Sequence, residues 1–277
     1  MVHLKSRREI KLLREAADLV GRTLAEVGKH VQPGITTLEL DRIAESYIRA
    51  HGARPLFKGH RAGKDVPPFP GSLCTSVNDA VVHGVPDGTV LKDGDLISID
   101  CGVYLNGYVG DSAYSFAVGE ISDEVRHLCH VTYQSLYKGI EQSVHGKRVG
   151  DIGYAVQTHC EQYGYGVVRE LCGHGVGKKL WEDPQVPNYG SRGSGKKLKA
   201  GMTICIEPMI NIGTHEIYTD ADDGWTILTD DASYSAHFEH MVAIRRGQAP
   251  DILSTFAYIE DVVEPPYRLR EAVPTAG

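Results

Sequence analysis

The chain of 277 residues lacks the features that mark several classes of protein. It contains no apolar run near the roughly 18 residues of a membrane-spanning helix, so no membrane span is expected. It also lacks an excess of positive charge, since 29 lysines and arginines stand against 36 aspartates and glutamates, a formal net charge of −7. Sequence-independent DNA binding depends on cationic side chains that neutralise phosphates, so the chain is not expected to bind DNA.

Close cysteine pairs are absent as well. The six cysteines show no Cys-x-x-Cys spacing, and most lie in apolar surroundings, at positions 74, 101, 129, 160, 172 and 205. Reduced thiols fit this pattern better than disulfides do. The first residues also lack a signal-peptide pattern, because Ser6 and Glu9 form a capping box ahead of apolar residues at helical spacing. Together these observations predict a cytoplasmic protein.

Five potential metal ligands do stand in order along the chain: Asp100, Asp111, His174, Glu207 and Glu239. Four carboxylates and one imidazole form an oxygen-rich set that suits a pair of divalent ions. Each acid interrupts or ends an apolar stretch, where a charge is costly unless it is paired or bound to a metal. The spacing of the set therefore favours a metal site over scattered surface acids.

The relative position of the first two acids follows from the turn between them. Residues before Asp100 roughly alternate apolar and polar, as in a strand, and Asn106-Gly107 predicts a two-residue hairpin turn. In that register Asp100 lies opposite Ala113, two residues from Asp111, so both carboxylates share a face as diagonal neighbours. Like charges about 4 Å apart repel by about 4 kcal/mol at an effective dielectric near 20, so a cation is expected between them. Taken alone, the pair fits two solvated strand aspartates equally well.

Segments in six places resemble the type I methionine aminopeptidases, in the family's order and with family-like spacing, over roughly residues 6–247. They are Ser-Val-Asn-Asp-Ala-Val-Val-His-Gly-Val-Pro at 76–86, Ile-Asp at 99–100, Gly-Asp at 110–111, Gly-His-Gly-Val-Gly at 173–177, Ile-Glu-Pro-Met at 206–209 and Phe-Glu-His at 238–240. The resemblance implies an α+β protein of the pita-bread fold, a pseudo-two-fold antiparallel sheet with helices on its outer face. It also implies a di-metal hydrolase that removes the initiator methionine from nascent polypeptides whose second residue is small.

The resemblance divides the five ligands between two ions. It implies that Asp100 binds one ion, that His174 and Glu207 bind the other, and that Asp111 and Glu239 bridge them. A water between the ions is then the nucleophile, and Glu207 is the catalytic residue that passes its proton to the leaving amine. Cobalt, manganese, iron or zinc would suit the site, and the sequence does not choose among them.

Two further positions concern the substrate. The resemblance implies that His83, in the segment at 76–86, bonds to the scissile amide region, although a histidine on a strand is more often structural. Trp181 stands where the family has a second histidine, which is thought to hydrogen-bond the substrate carbonyl. An indole N–H donates a hydrogen bond but is bulky and cannot titrate, and losing one such donor typically lowers turnover by about 10²–10³. We therefore expect that the protein binds metal and that Trp181 weakens or alters its catalysis.

An apolar pocket for the methionine side chain is also implied, at the family-like positions Phe57, His60, Phe69, Cys74, Leu180 and Trp225. Apolar and soft groups of this kind suit a thioether. The alternative, that most of these residues are ordinary core residues, stays open.

Residues 1–260 are predicted to form a single catalytic domain, and 261–277, which contain three prolines, a poorly ordered C-terminal tail. The implied substrates are the N-terminal Met-X peptides of nascent proteins, the ribosome is a candidate partner, and a monomer is expected. Two alternatives remain: a catalytically impaired relative that binds peptides or partner proteins, and a neighbouring enzyme of the same fold, such as a prolidase.

Overall fold

A computed structural model describes residues 2–61, 63 and 66–269. Two pairs of helices each precede a group of strands along this part of the chain, and the longest strands lie in its first half. In order the elements are α1 (Arg7–Gly28), α2 (Thr37–Ala50), β1 (Arg54–Pro55), β2 (Leu73–Val77), β3 (Ala80–Val82), β4 (Leu96–Leu105), β5 (Tyr108–Ala117), α3 (Asp123–Gln142), α4 (Val149–Glu161), β6 (Gly166–Val167), β7 (Gly173–Gly175), β8 (Glu182–Val186), β9 (Thr203–Ile206), β10 (Met209–Asn211), β11 (Ile217–Thr219), β12 (Ile227–Thr229), β13 (Ser235–His237), β14 (His240–Ala243), β15 (Asp251–Ile252) and α5 (Ala257–Glu260).

Capping boxes begin the first two helices, at the Ser6-x-x-Glu9 and Thr36-x-x-Glu39 patterns of the sequence. At α1 the Ser6 hydroxyl accepts from the Glu9 N–H, while the Glu9 carboxylate accepts from the Ser6 N–H at 2.8 Å. Thr36 and Glu39 make the same reciprocal pair at α2. Each pair satisfies two backbone donors that a helix N-terminus otherwise leaves without partners, which fixes where the helix starts.

The hairpin of β4 and β5 has the predicted register. Leu105 pairs with Tyr108 and Asp100 with Ala113, and the turn residues Asn106 and Gly107 have φ of 51° and 88°. Positive φ at both positions matches the twist of the strands, which is why an Asn-Gly turn fixes this register. Helix α1 packs across the hairpin, and its apolar side chains bury the face opposite the two aspartates.

Strand pairing is antiparallel throughout the described residues, and hydrogen bonding divides the strands among four sheets. In the second half, β9 pairs with β14 and β10 pairs with β13. Between these two pairings the hydrogen-bonded ladder is interrupted on both sides. The interruption falls at Glu207-Pro208 between β9 and β10, and at Phe238-Glu239 between β13 and β14. Proline has no N–H for the ladder, so the break at position 208 follows from the sequence.

The two halves repeat a local arrangement. Each begins with a helix pair, α1 with α2 and α3 with α4, that covers strands of the same half. The residue that caps the second helix of each pair also forms an isolated antiparallel bridge, Thr36 with Val90 and Arg148 with Lys197. This repetition is the internal echo expected of a pseudo-two-fold fold.

The packed chain continues past residue 260, the domain boundary predicted from the sequence. Tyr267 is 9% exposed, its ring stacks on Tyr133 with centroids 3.8 Å apart, and its hydroxyl donates to Glu260 at 2.6 Å. These contacts bury an aromatic ring in the main core, which explains why 265–267 are buried; residues 270–277 lie outside the described part. Among the described helices, none combines the length and apolar character needed to cross a membrane.

Candidate active site

One cavity of about 270 Å³ brings all of the predicted site residues together. Its wall has an acidic end, an apolar end and an opening. The acidic end contains Asp100, Asp111, His174, Glu207 and Glu239; the apolar end contains Phe57, His60, Phe69, Cys74, Leu180 and Trp225; His83 and Trp181 also line it. Sequence reasoning did not single out six further lining residues, Val82, Glu170, Leu171, Cys172, Gln185 and Met209.

The two hairpin aspartates enter the acidic end from uninterrupted strands. Asp100 lies on β4 opposite Ala113, and Asp111 lies two residues from Ala113 on β5, so the two side chains share the face turned towards the cavity. Asp111 is 3% exposed, and neither Asp100 Oδ1 nor Asp111 Oδ1 has a hydrogen-bond partner.

The two glutamates enter from the breaks in the second-half strands. Strand β5 holds the backbone of Glu239 on both sides, because the Glu239 N–H donates to the Ala113 carbonyl at 3.0 Å and Ser112 Oγ donates to the Glu239 carbonyl at 2.7 Å. The carbonyl of Glu207 accepts from Asn188 Nδ2 at 2.9 Å. These contacts replace ladder hydrogen bonds that the breaks remove, so both side chains are positioned as firmly as strand residues.

His174 is fixed in one tautomer. Its Nδ1 lies 3.0 Å from the Gly175 carbonyl oxygen, which only accepts, so the proton is on Nδ1. Nε2 is then free to bind a cation, and it lies 3.5 Å from Glu207 Oε1 and 3.7 Å from Asp111 Oδ2. Burial lowers the pKa of His174 to about 4, which keeps the ring neutral, as a metal ligand must be.

Glycines beside His174 allow this close approach. A Cβ at Gly173 would collide with the Cys205 carbonyl oxygen, and one at Gly175 with that of Asp183. The Gly-His-Gly pattern is therefore a packing requirement of β7, which lies between β8 and β9.

The acidic end concentrates negative charge without a protein cation to offset it. Burial raises the pKa of Asp100 to about 7, and burial with the neighbouring acids raises those of Asp111, Glu207 and Glu239 well above their usual range. No lysine or arginine is among the described residues that line the cavity. One oxygen on each of the four carboxylates is buried without a hydrogen-bond partner. Buried carboxylates in this state need cations, so the residues fit divalent metal.

The tightest group of ligand atoms is smaller than the predicted set. Atoms of Asp111, His174, Glu239 and Cys205 lie within 4.8 Å of one another, and this group does not include Asp100 and Glu207. Burial raises the pKa of the Cys205 thiol well above its usual value, so it remains protonated. A protonated thiol is a poor ligand, and the oxygen atoms and the imidazole are the better set.

His237 is a neighbour of this site that the sequence reasoning missed. It is 1% exposed, its Nε2 has no hydrogen-bond partner, and that atom lies 3.9 Å from Glu207 Oε2. The signal was present, because His237 and Glu239 are two residues apart in a strand-like run and so share a face.

The apolar end is a compact cluster. Phe57, Phe69, Cys74 and Trp225 are each at most 8% exposed and pack against one another, with Leu180 beside them. The Phe69 and Trp225 rings meet edge to face at 5.3 Å, and Trp225 Nε1 donates to the Pro67 carbonyl at 2.8 Å. These residues therefore pack as core residues and also line the cavity.

His83 follows β3 with a φ of 59°, a conformation that is uncommon outside glycine. The next residue, Gly84, packs so closely on Thr75 that a Cβ there would collide with the Thr75 carbonyl oxygen. Burial and, to a smaller extent, His60 together lower the pKa of His83 to about 4, so the ring is neutral near pH 7. Such backbone conformations concentrate at sites where a side chain must point in a particular direction.

Comparison with known proteins places this geometry in a family. Residues 11–246 match the model of metallopeptidase family M24. A methionine aminopeptidase of Clostridium acetobutylicum is 48% identical over 255 residues, 92% of this chain and 99% of that protein. Methionine aminopeptidase 1 of Bacillus subtilis is 50% identical over 244 residues, 88% and 96% of the two chains. The crystal structure of methionine aminopeptidase from Rickettsia prowazekii superposes with a TM-score of 0.88 at 37% identity, covering 92% of this chain and all of that one.

The chain belongs to metallopeptidase family M24, and the relatives that share about half of its residues are methionine aminopeptidases. The resemblance that the six segments predict is confirmed, and so is the predicted α+β pita-bread fold. A family of metallopeptidases binds divalent metal, in agreement with the unpartnered carboxylates of the acidic end.

Proposed function

We propose that the protein is a metal-dependent aminopeptidase that removes the N-terminal methionine from nascent polypeptides whose second residue is small. One observation carries the proposal: a single cavity joins four carboxylates that need cations to an apolar pocket of aromatic and soft side chains. The first feature supports hydrolysis at a metal centre, and the second supports a thioether side chain beside it.

Two divalent ions are the proposed occupants of the acidic end. Four buried carboxylates carry about four negative charges when ionised, which two divalent ions offset. Asp111 and Glu239, the most buried of the acids, are the proposed bridging ligands; Asp100 serves one ion and His174 with Glu207 the other. Bound ions would supply Lewis acidity and lower the pKa of a water molecule. The oxygen-rich ligands suit manganese, iron or cobalt, with zinc also possible chemically.

Glu207 is the proposed carrier of the proton. Its Oε1 faces the metal ligand His174 at 3.5 Å and is buried without a hydrogen-bond partner, so it is free to take up and release a proton. The neutral ring of His83 is the proposed partner of the scissile amide, because it lines the same cavity and one of its nitrogens carries a proton to donate.

The remaining expectations about substrate and partners follow from this activity. Five of the six cysteines are buried and all six are unpaired, which supports the proposed location in the reducing cytoplasm. Association with the ribosome and a monomeric state stay predictions. The alternative of an impaired relative rests on Trp181 alone, and relatives near 50% identity favour the enzyme.

Hydrolysis of the peptide Met-Ala-Ser by the metal-loaded protein tests the proposal. Released methionine is measured for the unaltered chain, for Trp181→His and for Asp111→Asn as a control that removes a bridging ligand. Release by the unaltered chain that Asp111→Asn abolishes supports the proposal. Release only by Trp181→His would show a sound site that the tryptophan disables, and no release by either, with metal bound, would refute it.

A further inference from the structure

Trp181 marks the opening of the cavity. It is 52% exposed, whereas Trp225 and Phe69 at the apolar end are 8% and 2% exposed. An exposed indole at the rim of a cavity offers a bound ligand a large, rigid apolar surface with specific stacking geometry. Of the described residues that line the cavity, Glu170, Trp181 and Gln185 are exposed and form its rim. A peptide whose first side chain fills the buried apolar end leaves across this rim, where Trp181 is the one aromatic side chain.

A chain of edge-to-face rings connects Trp181 to the apolar end. The centroids of Trp181 and His60 are 4.7 Å apart, those of His60 and Trp225 6.2 Å, and those of Trp225 and Phe69 5.3 Å. His60 Nε2 is buried without a hydrogen-bond partner. Its ring therefore packs as an apolar group that supports one side of the indole and leaves the rest of it open.

The backbone beneath Trp181 is held firmly. The next residue, Glu182, begins β8 and pairs with Gly175, beside the predicted ligand His174. The Glu182 carboxylate accepts from the buried Lys5 ammonium at 2.5 Å and from the Lys178 and Lys179 N–H groups at 2.9 and 3.3 Å. The indole is thus presented from a fixed point, and ordering it on a ligand costs little conformational entropy.

We propose that Trp181 forms a subsite for the third residue of the substrate and that this subsite favours aromatic and apolar side chains. The inference rests on the proposed function and narrows its substrate class. Because the second residue is small, it cannot cover the indole, and the third residue is the next that passes the opening. An aromatic contact of this kind contributes about 0.5–1.5 kcal/mol, about two- to tenfold in binding. The effect should appear as a ratio of kcat/KM between peptides that differ only at the third residue, because any influence of Trp181 on the reacting bond is common to both peptides.

Two peptides that differ only at the third residue give the kinetic test, Met-Ala-Phe-Ser and Met-Ala-Ser-Ser. We expect the metal-loaded protein to cleave the phenylalanine peptide with a kcat/KM about two- to tenfold higher. Trp181→Ala should bring that ratio close to one, and Trp181→Phe should keep part of it. Tyr163→Ala is the matched control, since Tyr163 is also exposed, at 45%, but does not line the cavity. A Trp181→Ala variant that keeps the original ratio would overturn the proposal, as would one that weakens both peptides equally.

Fluorescence gives a readout that does not depend on turnover. The chain has two tryptophans, so in a Trp225→Phe variant all tryptophan emission comes from Trp181. Analogues of the two peptides with a reduced first amide bond cannot be hydrolysed. We expect the phenylalanine analogue to shift the Trp181 emission to shorter wavelength and to bind more tightly than the serine analogue. Equal affinities without a shift would contradict the subsite, even if neither parent peptide were cleaved and the proposed function itself had failed.

Discussion

Asp100 and Asp111 reach the cavity from paired, uninterrupted strands, whereas Glu207 and Glu239 reach it from breaks between paired strands. In the first region a two-residue turn fixes the register, and the register fixes which face each carboxylate occupies. In the second region the ladder stops at both glutamates, so their positions depend on contacts from elsewhere. The same chemical group is thus placed by local geometry in one half and by tertiary contacts in the other.

Strand β5 supplies those tertiary contacts to Glu239, whereas Asn188 supplies one to Glu207. Beyond the bonds of Ala113 and Ser112 to Glu239, Ser115 Oγ donates to the His237 carbonyl at 2.9 Å and accepts from the His237 N–H at 3.0 Å. The hairpin therefore serves as a template that positions Glu239. Damage to the hairpin should displace Glu239 and weaken metal binding.

The largest expected effect is a difference in kcat between variants of Glu207 and of Asp100. If Glu207 carries the proton as well as binding metal, Glu207→Gln should lower kcat by about 10²–10⁴ even when metal is saturating. Asp100→Asn should instead act mainly through weaker metal binding and recover partly as metal concentration rises. The measurement is kcat for Met-Ala-Ser against metal concentration. Equal recovery of both variants would show that the two acids have the same role.

The next largest expected effect is a loss of folding stability when the close packing of the hairpin against α1 is disturbed. A Cβ at Gly110 would collide with the backbone of Ala16 on α1, so Gly110→Ala should destabilise the protein by about 1–3 kcal/mol. Gly88→Ala is the matched control, because nothing lies within 4 Å of a Cβ there. Urea denaturation midpoints compare the two variants, and similar midpoints would mean that the hairpin is not clamped by the helix.

Ser112→Ala tests the template directly. Loss of its hydroxyl leaves the buried Glu239 carbonyl without that donor, at a cost of about 1–2 kcal/mol, and should weaken metal binding as well. Ser194→Ala, at an exposed serine, is the control. Calorimetric metal titration and thermal unfolding provide the two readouts. Lower stability with unchanged metal affinity would mean that β5 does not position Glu239.

The smallest expected effect is the pH dependence of thermal stability in protein whose metal has been removed with a chelator. Asp100 has a folded pKa raised to about 7 by burial, so its protonated form favours the folded state, and this contribution is lost as pH rises through about 7. Between pH 5 and pH 8 the Tm of the metal-free protein should therefore change less favourably, by a few degrees, than that of metal-free Asp100→Asn. Buried histidines with lowered pKa values favour folding as pH rises over this interval, but they act alike in both proteins. The same pH dependence in the two proteins would contradict the account of unshielded carboxylates.

The parts of this molecule that could be predicted from sequence are regular segments whose structure depends on neighbouring residues. The hairpin register and both capping boxes follow from local rules that tertiary structure does not override here. The ligand assignment needed a family resemblance, because nothing local shows that Glu207 and Glu239 meet across a break in two strands. His237 was missed because its alternation with Glu239, the one local signal, does not by itself distinguish a site residue from a buried strand residue.

Surface positions were harder to predict. The family pattern drew attention to Trp181, yet its exposure and its contact with His60 depend on how the β7–β8 hairpin packs against Lys5. The burial of 265–267 depends on a ring stack between residues far apart in sequence, Tyr133 and Tyr267, and composition alone suggested a loose tail. In both places the deciding contact is long-range, and no local signal in the sequence encodes it.

Metal stoichiometry tests the central claim most directly. Equilibrium dialysis of the metal-free protein against Mn²⁺, followed by metal analysis, should give two ions per chain. Glu239→Gln, which removes one of the proposed bridging ligands, should lower that number at the same free Mn²⁺ concentration. A wild-type chain that binds no Mn²⁺, or whose stoichiometry Glu239→Gln leaves unchanged, would contradict the proposal that these four carboxylates and His174 form a di-metal centre.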